Sequence, residues 1–244
     1  MIKRLLIIVA IFIHSQISLS QVNLQLGAGV GLTSPLADYK GTTIEYYQGK
    51  NYGLTSGYNF YGKVRAGIFG TNIIGEIGFT SLSNSGNSEP DKGKIELKQN
   101  LIALKVGPEF QFTLPTLPIK PYIGGNIIYT IFTGETSFNG VAEVPSGNHK
   151  MKTTSRLGLG GNGGVLIKLN PILSLDISAY YHFINLIGKS WDAPITDKVK
   201  RIDSYMYLND DKDPLGYLNS TEHFISKSRT IQTAGLSIGL MFGL

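Results

Sequence analysis

The sequence predicts an all-β chain closed into an eight-stranded antiparallel up-and-down transmembrane barrel. Three observations predict it. Apolar residues recur with period 2 along eight segments, which is the alternation of a pleated strand. The connections between those segments alternate strictly, three short turns against four long loops, as in bacterial membrane barrels. The closing stretch 231–244 runs apolar to its last residue, with Ala234, Leu236, Ile238, Leu240, Phe242 and Leu244 on one face and Gly235, Ser237, Gly239, Met241 and Gly243 on the other. A strand ending a soluble domain rarely does this, whereas lipid outside and a narrow lumen inside accept it.

The chain has 244 residues, no Cys, 30 Gly, 13 Tyr and 11 Phe. Residues 1–20 read as a secretory signal: Lys3 and Arg4, an apolar run over 5–13, then Ser18, Leu19 and Ser20 before Gln21. The run is far shorter than the roughly 20 residues a spanning helix needs. Residues 21–244 are then the barrel domain. Removing Lys3 and Arg4 leaves 20 basic against 17 acidic residues, too mild a balance to point to nucleic acid. Without Cys there is no lipid anchor on sulfur, no disulfide and no thiolate metal site.

The first strand, 22–32, places six apolar residues on one face and Asn23, Gln25 and three glycines on the other. A polar, Tyr-rich loop follows to Gly57. The second strand, 58–69, carries Phe60, Val64 and Ile68 outward and Tyr61, Lys63 and Arg65 inward. Gly70 and Thr71 read as a tight turn, Gly at its first central position suiting type II′. The third strand then sets Ile73, Ile77 and Phe79 outward with Glu76 inward, and that register would pair Val64 with Ile77 and Arg65 with Glu76.

Residues 83–98 read as a second long loop. The fourth strand carries Ile102, Leu104, Val106, Phe110 and Phe112 outward, with Lys105, Glu109 and Gln111 inward. Pro108 within it predicts a bulge or a lost ladder bond. After the proline-stiffened turn 113–120 comes the fifth strand, with Ile123, Ile127, Tyr129 and Ile131 outward, and then a loop over 134–152. The sixth strand turns Arg156 and Lys168 inward. Asn170 and Pro171 mark the third short turn. The seventh turns Asp176, Tyr180 and His182 inward, and 185–228 is the longest loop before the closing strand. Outward Phe60, Phe79, Tyr129, Tyr181 and Phe183 lie towards the long loops and Phe110, Phe112 and Phe242 towards the short turns, as two interfacial belts would.

In these features the chain resembles the small bacterial outer-membrane β-barrel family of the OmpA/OmpX type, here without a peptidoglycan-binding domain. The resemblance covers the whole of 21–244 and is one of pattern, not of a fingerprint motif. It implies short periplasmic turns, long extracellular loops, an outer-membrane location, outer-membrane lipid around the barrel, a monomer, and a structural or surface-interaction role that could involve an envelope or extracellular protein. It implies no cofactor.

The inward charges Lys63, Arg65, Glu76, Lys105, Glu109, Arg156, Lys168 and Asp176, with His182, are the candidate lumen network. An unpaired charge in a narrow lumen costs several kcal/mol, so mixed signs on neighbouring strands predict a salt-bridged plug. Lys168 and Asp176 are expected near each other across the third turn. A barrel-embedded surface hydrolase acting on lipid or peptide is the alternative. It would need a nucleophile and an acid beside a histidine, and His182 has only Ser178, four residues earlier, on its strand; His149 and His223 lie in loops. Asp210, in the run Asn209 to Asp213, reads as part of a solvated turn, since the run lacks the spacing and Gly of a calcium loop. Trp191, Tyr205, Tyr207 and Tyr217 in the longest loop are either recognition aromatics or packing within a raised hairpin. A soluble carrier of lipophiles would put apolar side chains inside and polar ones outside, the reverse of these strands.

Overall fold

The computed structural model describes residues 23–68, 70–89, 92–114, 117–192, 202–212, 214 and 227–243. The proposed signal, Tyr217 and His223 lie outside them. Among the described residues nine strands form: β1 (Asn23–Leu36), β2 (Gly57–Ile68), β3 (Thr71–Glu89), β4 (Lys92–Gln111), β5 (Ile119–Asn139), β6 (Gly147–Lys150), β7 (Thr154–Lys168), β8 (Leu173–Ile187) and β9 (Gln232–Gly243). Each barrel strand pairs antiparallel with its neighbours in the chain, and β1 pairs with β9, so the ring has no free edge. β6 stands outside the ring, paired only to the upper part of β5.

The faces fall as the period-2 pattern requires. Outward Ile77, Leu104, Ile127 and Ile238 are 60%, 54%, 57% and 47% exposed, while inward Arg65, Glu109 and Asp176 are wholly buried. Exposed apolar side chains occur on every barrel strand. That band encircles the molecule, whereas apolar patches on soluble monomers are isolated and limited to roughly 300–600 Å².

The second and third strands meet in a different register from the one expected. Val64 faces Gly75, not Ile77, and Lys63, not Arg65, faces Glu76. The ladder closes at Ile68 and Thr71, with Gly70 between them in a turn. Gly70 sits at its second central position with φ +84°, a conformation that glycine adopts without steric cost. A slip of two residues keeps every side chain on its own face, which is why face patterning does not detect it. At Pro108 the β4–β5 pairing breaks, resuming at Glu109 and Gly124 in the same register, so the ladder is interrupted without a bulge. The irregularity in register lies instead between Leu157 and Leu159.

Two stretches expected as loops are strand. β3 and β4 continue past the barrel rim, with Ser83 opposite Lys98 and Glu89 opposite Lys92. β5 continues beside β4 to Asn139, opposite Lys94. Beyond the rim the polarity of the faces inverts: Ser83, Ser85, Glu96 and Lys98 point out and are exposed, while Leu82, Ile95, Leu97 and Phe138 point in and are buried. An outer face in water wants polar side chains, and the sheet then buries its apolar ones inside, as a soluble protein does.

These extensions carry a folded cap. The first connection contributes a 3-10 turn (Ala37–Tyr39) and α1 (Thr43–Tyr47), the latter closed by a reciprocal capping box between Thr42 and Glu45. The last connection contributes α2 (Ile202–Met206). Tyr39, Tyr52 and Leu54 from the first, Tyr205 and Leu208 from the last, and Leu82, Leu97, Phe132 and Ile184 from the strands share one buried core above the rim.

Candidate functional site

Six of the expected lumen charges come together. Arg65 on β2 grips Glu109 on β4 with two contacts, Nε to Oε1 at 2.5 Å and Nη2 to Oε2 at 2.9 Å, and Nη1 donates to Gln25 on β1 at 2.9 Å. Nη2 also lies 3.5 Å from Asp176 on β8, which is the same distance from Lys63 Nζ. Lys63 reaches Glu76 at 3.4 Å, and Lys105 donates to Glu76 at 2.7 Å. The Tyr122 hydroxyl on β5 donates to Asp176 at 2.5 Å, and its ring lies 5.1 Å from the Arg65 guanidinium. Three cations and three carboxylates thus balance, in contacts running from β4 through β2 to β8 across the lumen. Little water reaches these groups to screen them, so matched charge and direct hydrogen bonds are required to offset desolvation.

Three other members sit elsewhere. Arg156 lies at the cap, not in the network: Nε and Nη2 bind Asp210 at 2.9 and 2.7 Å. Asp210 is fully buried and also accepts from Asn185 Nδ2 and the Ser190 N–H, so it is not the solvated residue the sequence led us to expect. Lys168 is exposed at the short-turn rim, where it faces Ser174; Asp176 faces Leu166 and is engaged by Lys63, Arg65 and Tyr122, so the expected pairing of Lys168 with Asp176 does not form. His182 is buried and stacks on Tyr180 at 4.5 Å; among the described residues no Ser or Thr hydroxyl hydrogen-bonds to its ring.

Three of the loop aromatics are among the described residues. Tyr205 is buried and its hydroxyl donates to the Tyr47 carbonyl at 2.9 Å. Trp191 packs against the cap core, and Tyr207 lies under the Lys152 ammonium at 4.9 Å. A recognition role for Tyr205 does not fit its burial. Burial also pushes the Tyr46 hydroxyl up to about 12.

Sequence reading missed Gln25 and Tyr122 as members of the network, although alternation along their strands places both inward. It missed Arg229, buried in the cap with its guanidinium 3.8 Å over Tyr52 and Nη2 donating to the Asn209 carbonyl at 2.7 Å. Nothing local marks Arg229 or Asp210, whose partners belong to distant parts of the chain. No group of His, Asp and Glu suited to a metal occurs among the described residues.

No family model matches the chain, and no curated protein matches it. Solved structures do. A major outer membrane protein from Thermus thermophilus shares 13% identity, with 91% of this chain and 99% of that chain covered at a TM-score of 0.51. The outer membrane protein OprG from Pseudomonas aeruginosa shares 12% identity, covering 91% of this chain and 95% of that chain at a TM-score of 0.50. At such identities the likeness is one of fold, and it agrees with the closed ring: the chain has the fold of the small outer-membrane β-barrels.

Proposed function

We propose that the protein is an integral outer-membrane barrel without enzymatic activity, exported by a signal at 1–20, with its lumen plugged by side chains and its long connections at the cell surface. The observation that carries this is the pairing of an apolar band on the outside of every barrel strand with a balanced charge network inside. An eight-stranded barrel is just wide enough for side chains to fill it. The plug is then Arg65, Glu109, Asp176, Tyr122, Lys63, Glu76 and Lys105, and the surface role falls to the cap and the polar outer faces of β3, β4 and β5. The monomeric state and any protein partner belong to the same proposal. Nothing around His182 favours the hydrolase alternative.

Planar-bilayer recording on the purified protein tests the plug. We expect no stable single-channel steps in preparations whose insertion is verified by heat-modifiable migration. Large, steady steps would overturn it.

A further inference from the structure

We propose that the short-turn mouth of the barrel is a binding site for a phosphate group, built on Lys120 of β5 and Lys168 of β7. The mouth holds a recess of about 240 Å³, and both lysines line it. Lys120 stands opposite Leu166, and Lys168 lies two residues further along β7 on the same inward face. The two side chains are therefore diagonal neighbours, roughly 7–8 Å apart where they leave the backbone. Among the described residues neither ammonium has a carboxylate partner or a hydrogen-bond acceptor.

Among the described residues no carboxylate lines the recess. The network above it has none to spare, because Lys63, Arg65 and Lys105 already balance Glu76, Glu109 and Asp176. Two like charges side by side repel, and an anion seated between them removes that repulsion. The neutral groups of the recess have the matching polarity. Gln25, which lines it, is 9% exposed, and its Oε1 accepts from Arg65 Nη1 at 2.9 Å. Arginine has no acceptor, so this contact fixes the amide and leaves the donor Nε2 for the recess. The Asn23 amide and the Ser174 hydroxyl supply further donors. Two ammoniums, two amides and a hydroxyl suit a group with several acceptor oxygens and more than one negative charge. A phosphate is such a group, and lysine binds it as a point charge.

Two sources of a phosphate group can reach the recess. It lies at the end of the lumen, where a free phosphate or a small phosphate ester enters from water. Ile172, on the turn beside it, also lines it and is 63% exposed, so the recess borders the apolar outer surface as well. A lipid headgroup of the adjoining leaflet is then at hand. The site goes beyond the plug reading, which uses neither lysine.

Amine labelling of the full-length barrel with a membrane-permeant reagent, read at each lysine by mass spectrometry, tests it. In micelles of an uncharged detergent, inorganic phosphate is expected to slow labelling of Lys120 and Lys168 several-fold, and chloride at the same ionic strength is not. Lys94, exposed beyond the opposite rim, serves as the reference and is expected to respond to neither. Vesicles separate the sources. Slowing in phosphatidylglycerol vesicles without added phosphate, and not in vesicles of a neutral glycolipid, assigns the site to the lipid headgroup; slowing only when phosphate is added assigns it to the free ion or ester. Ser174→Asp, which sets a carboxylate opposite Lys168, is expected to abolish the effect. No preferential slowing of Lys120 and Lys168 in either micelles or vesicles would overturn the proposal, and the wild-type barrel decides this even if the variant does not fold. An effect that persists unchanged in a folded Ser174→Asp barrel would overturn it as well. The micelle measurement does not require a membrane-spanning barrel, so its failure is distinct from a failure of that reading.

Discussion

Arg65 and Glu109 form a two-pronged ion pair inside the barrel, although 44 positions separate them in the chain and they stand on strands that are not neighbours in the sheet. Both side chains are fully buried. Removing one partner leaves the other charge without its main compensation. We expect Glu109→Ala to destabilise the folded barrel by about 3–5 kcal/mol, the range for a broken buried pair. Urea unfolding in lipid vesicles measures it. Replacing both with apolar residues of similar size should be less harmful than the sum of the single changes; a strictly additive result would show that the pair is not coupled.

The inversion of polarity at the rim is testable on one face of one strand. Ile77 and Ser83 both point outward from β3, six residues or roughly 20 Å apart. An arginine at Ile77 is expected to cost about 2–4 kcal/mol if that position lies near mid-membrane, as is Ile238→Arg on β9. Ser83→Arg, in water, is expected to cost less than about 0.5 kcal/mol, as surface changes do. Equal tolerance at the two positions on β3, read from unfolding in lipid, would place both in the same solvent.

The two connections that build the cap are tied together by Asp38, which accepts from the Thr230 N–H at 2.9 Å and lies 3.4 Å from Lys227 Nζ. Partial burial pushes this carboxyl up, but the hydrogen bonds from Thr230 and the Lys227 charge outweigh it and hold the group below its ordinary value. A depressed carboxyl contributes stability that is complete above the ordinary value of about 4 and is lost as pH falls through the lowered one. Amide exchange at Thr230 and Tyr52, corrected for its intrinsic pH dependence, is therefore expected to show more cap opening as pH drops from 5 to 3. Asp38→Asn is expected to open more than wild type at pH 5 and to change little on acidification. A wild-type cap whose opening is flat across that range would remove Asp38 from the latch.

Which face each barrel residue occupies was legible in the sequence, because alternation along a strand records the solvent on either side. Which residue stands opposite which was not. The register inferred from Gly70 and Thr71 and the one adopted around Gly70 differ by two positions, and both match outward with outward residues. Arg65 therefore looked destined for Glu76, whereas Lys63 took it and Arg65 went across to Glu109. The extensions were hidden for a physical reason. A search for apolar outward faces stops at Ser83, where lipid gives way to water and Leu82, Ile95 and Leu97 carry the apolar signal inward instead. The cap was least legible: the tyrosines of the connections were visible as a cluster, but their burial depends on Asp210 meeting Arg156 and on Arg229 meeting Tyr52, contacts between distant parts of the chain.

The central claim is that the apolar band meets lipid while the strands' outer ends meet water. Because the chain has no Cys, a single one can be introduced at Ile77 or at Ser85 and labelled with a nitroxide. In lipid vesicles, collision rates with dissolved oxygen and with a water-soluble nickel complex report the solvent around each label. We expect oxygen collisions to dominate at position 77 and nickel collisions at position 85. Nickel dominating at both positions would contradict a membrane-spanning barrel.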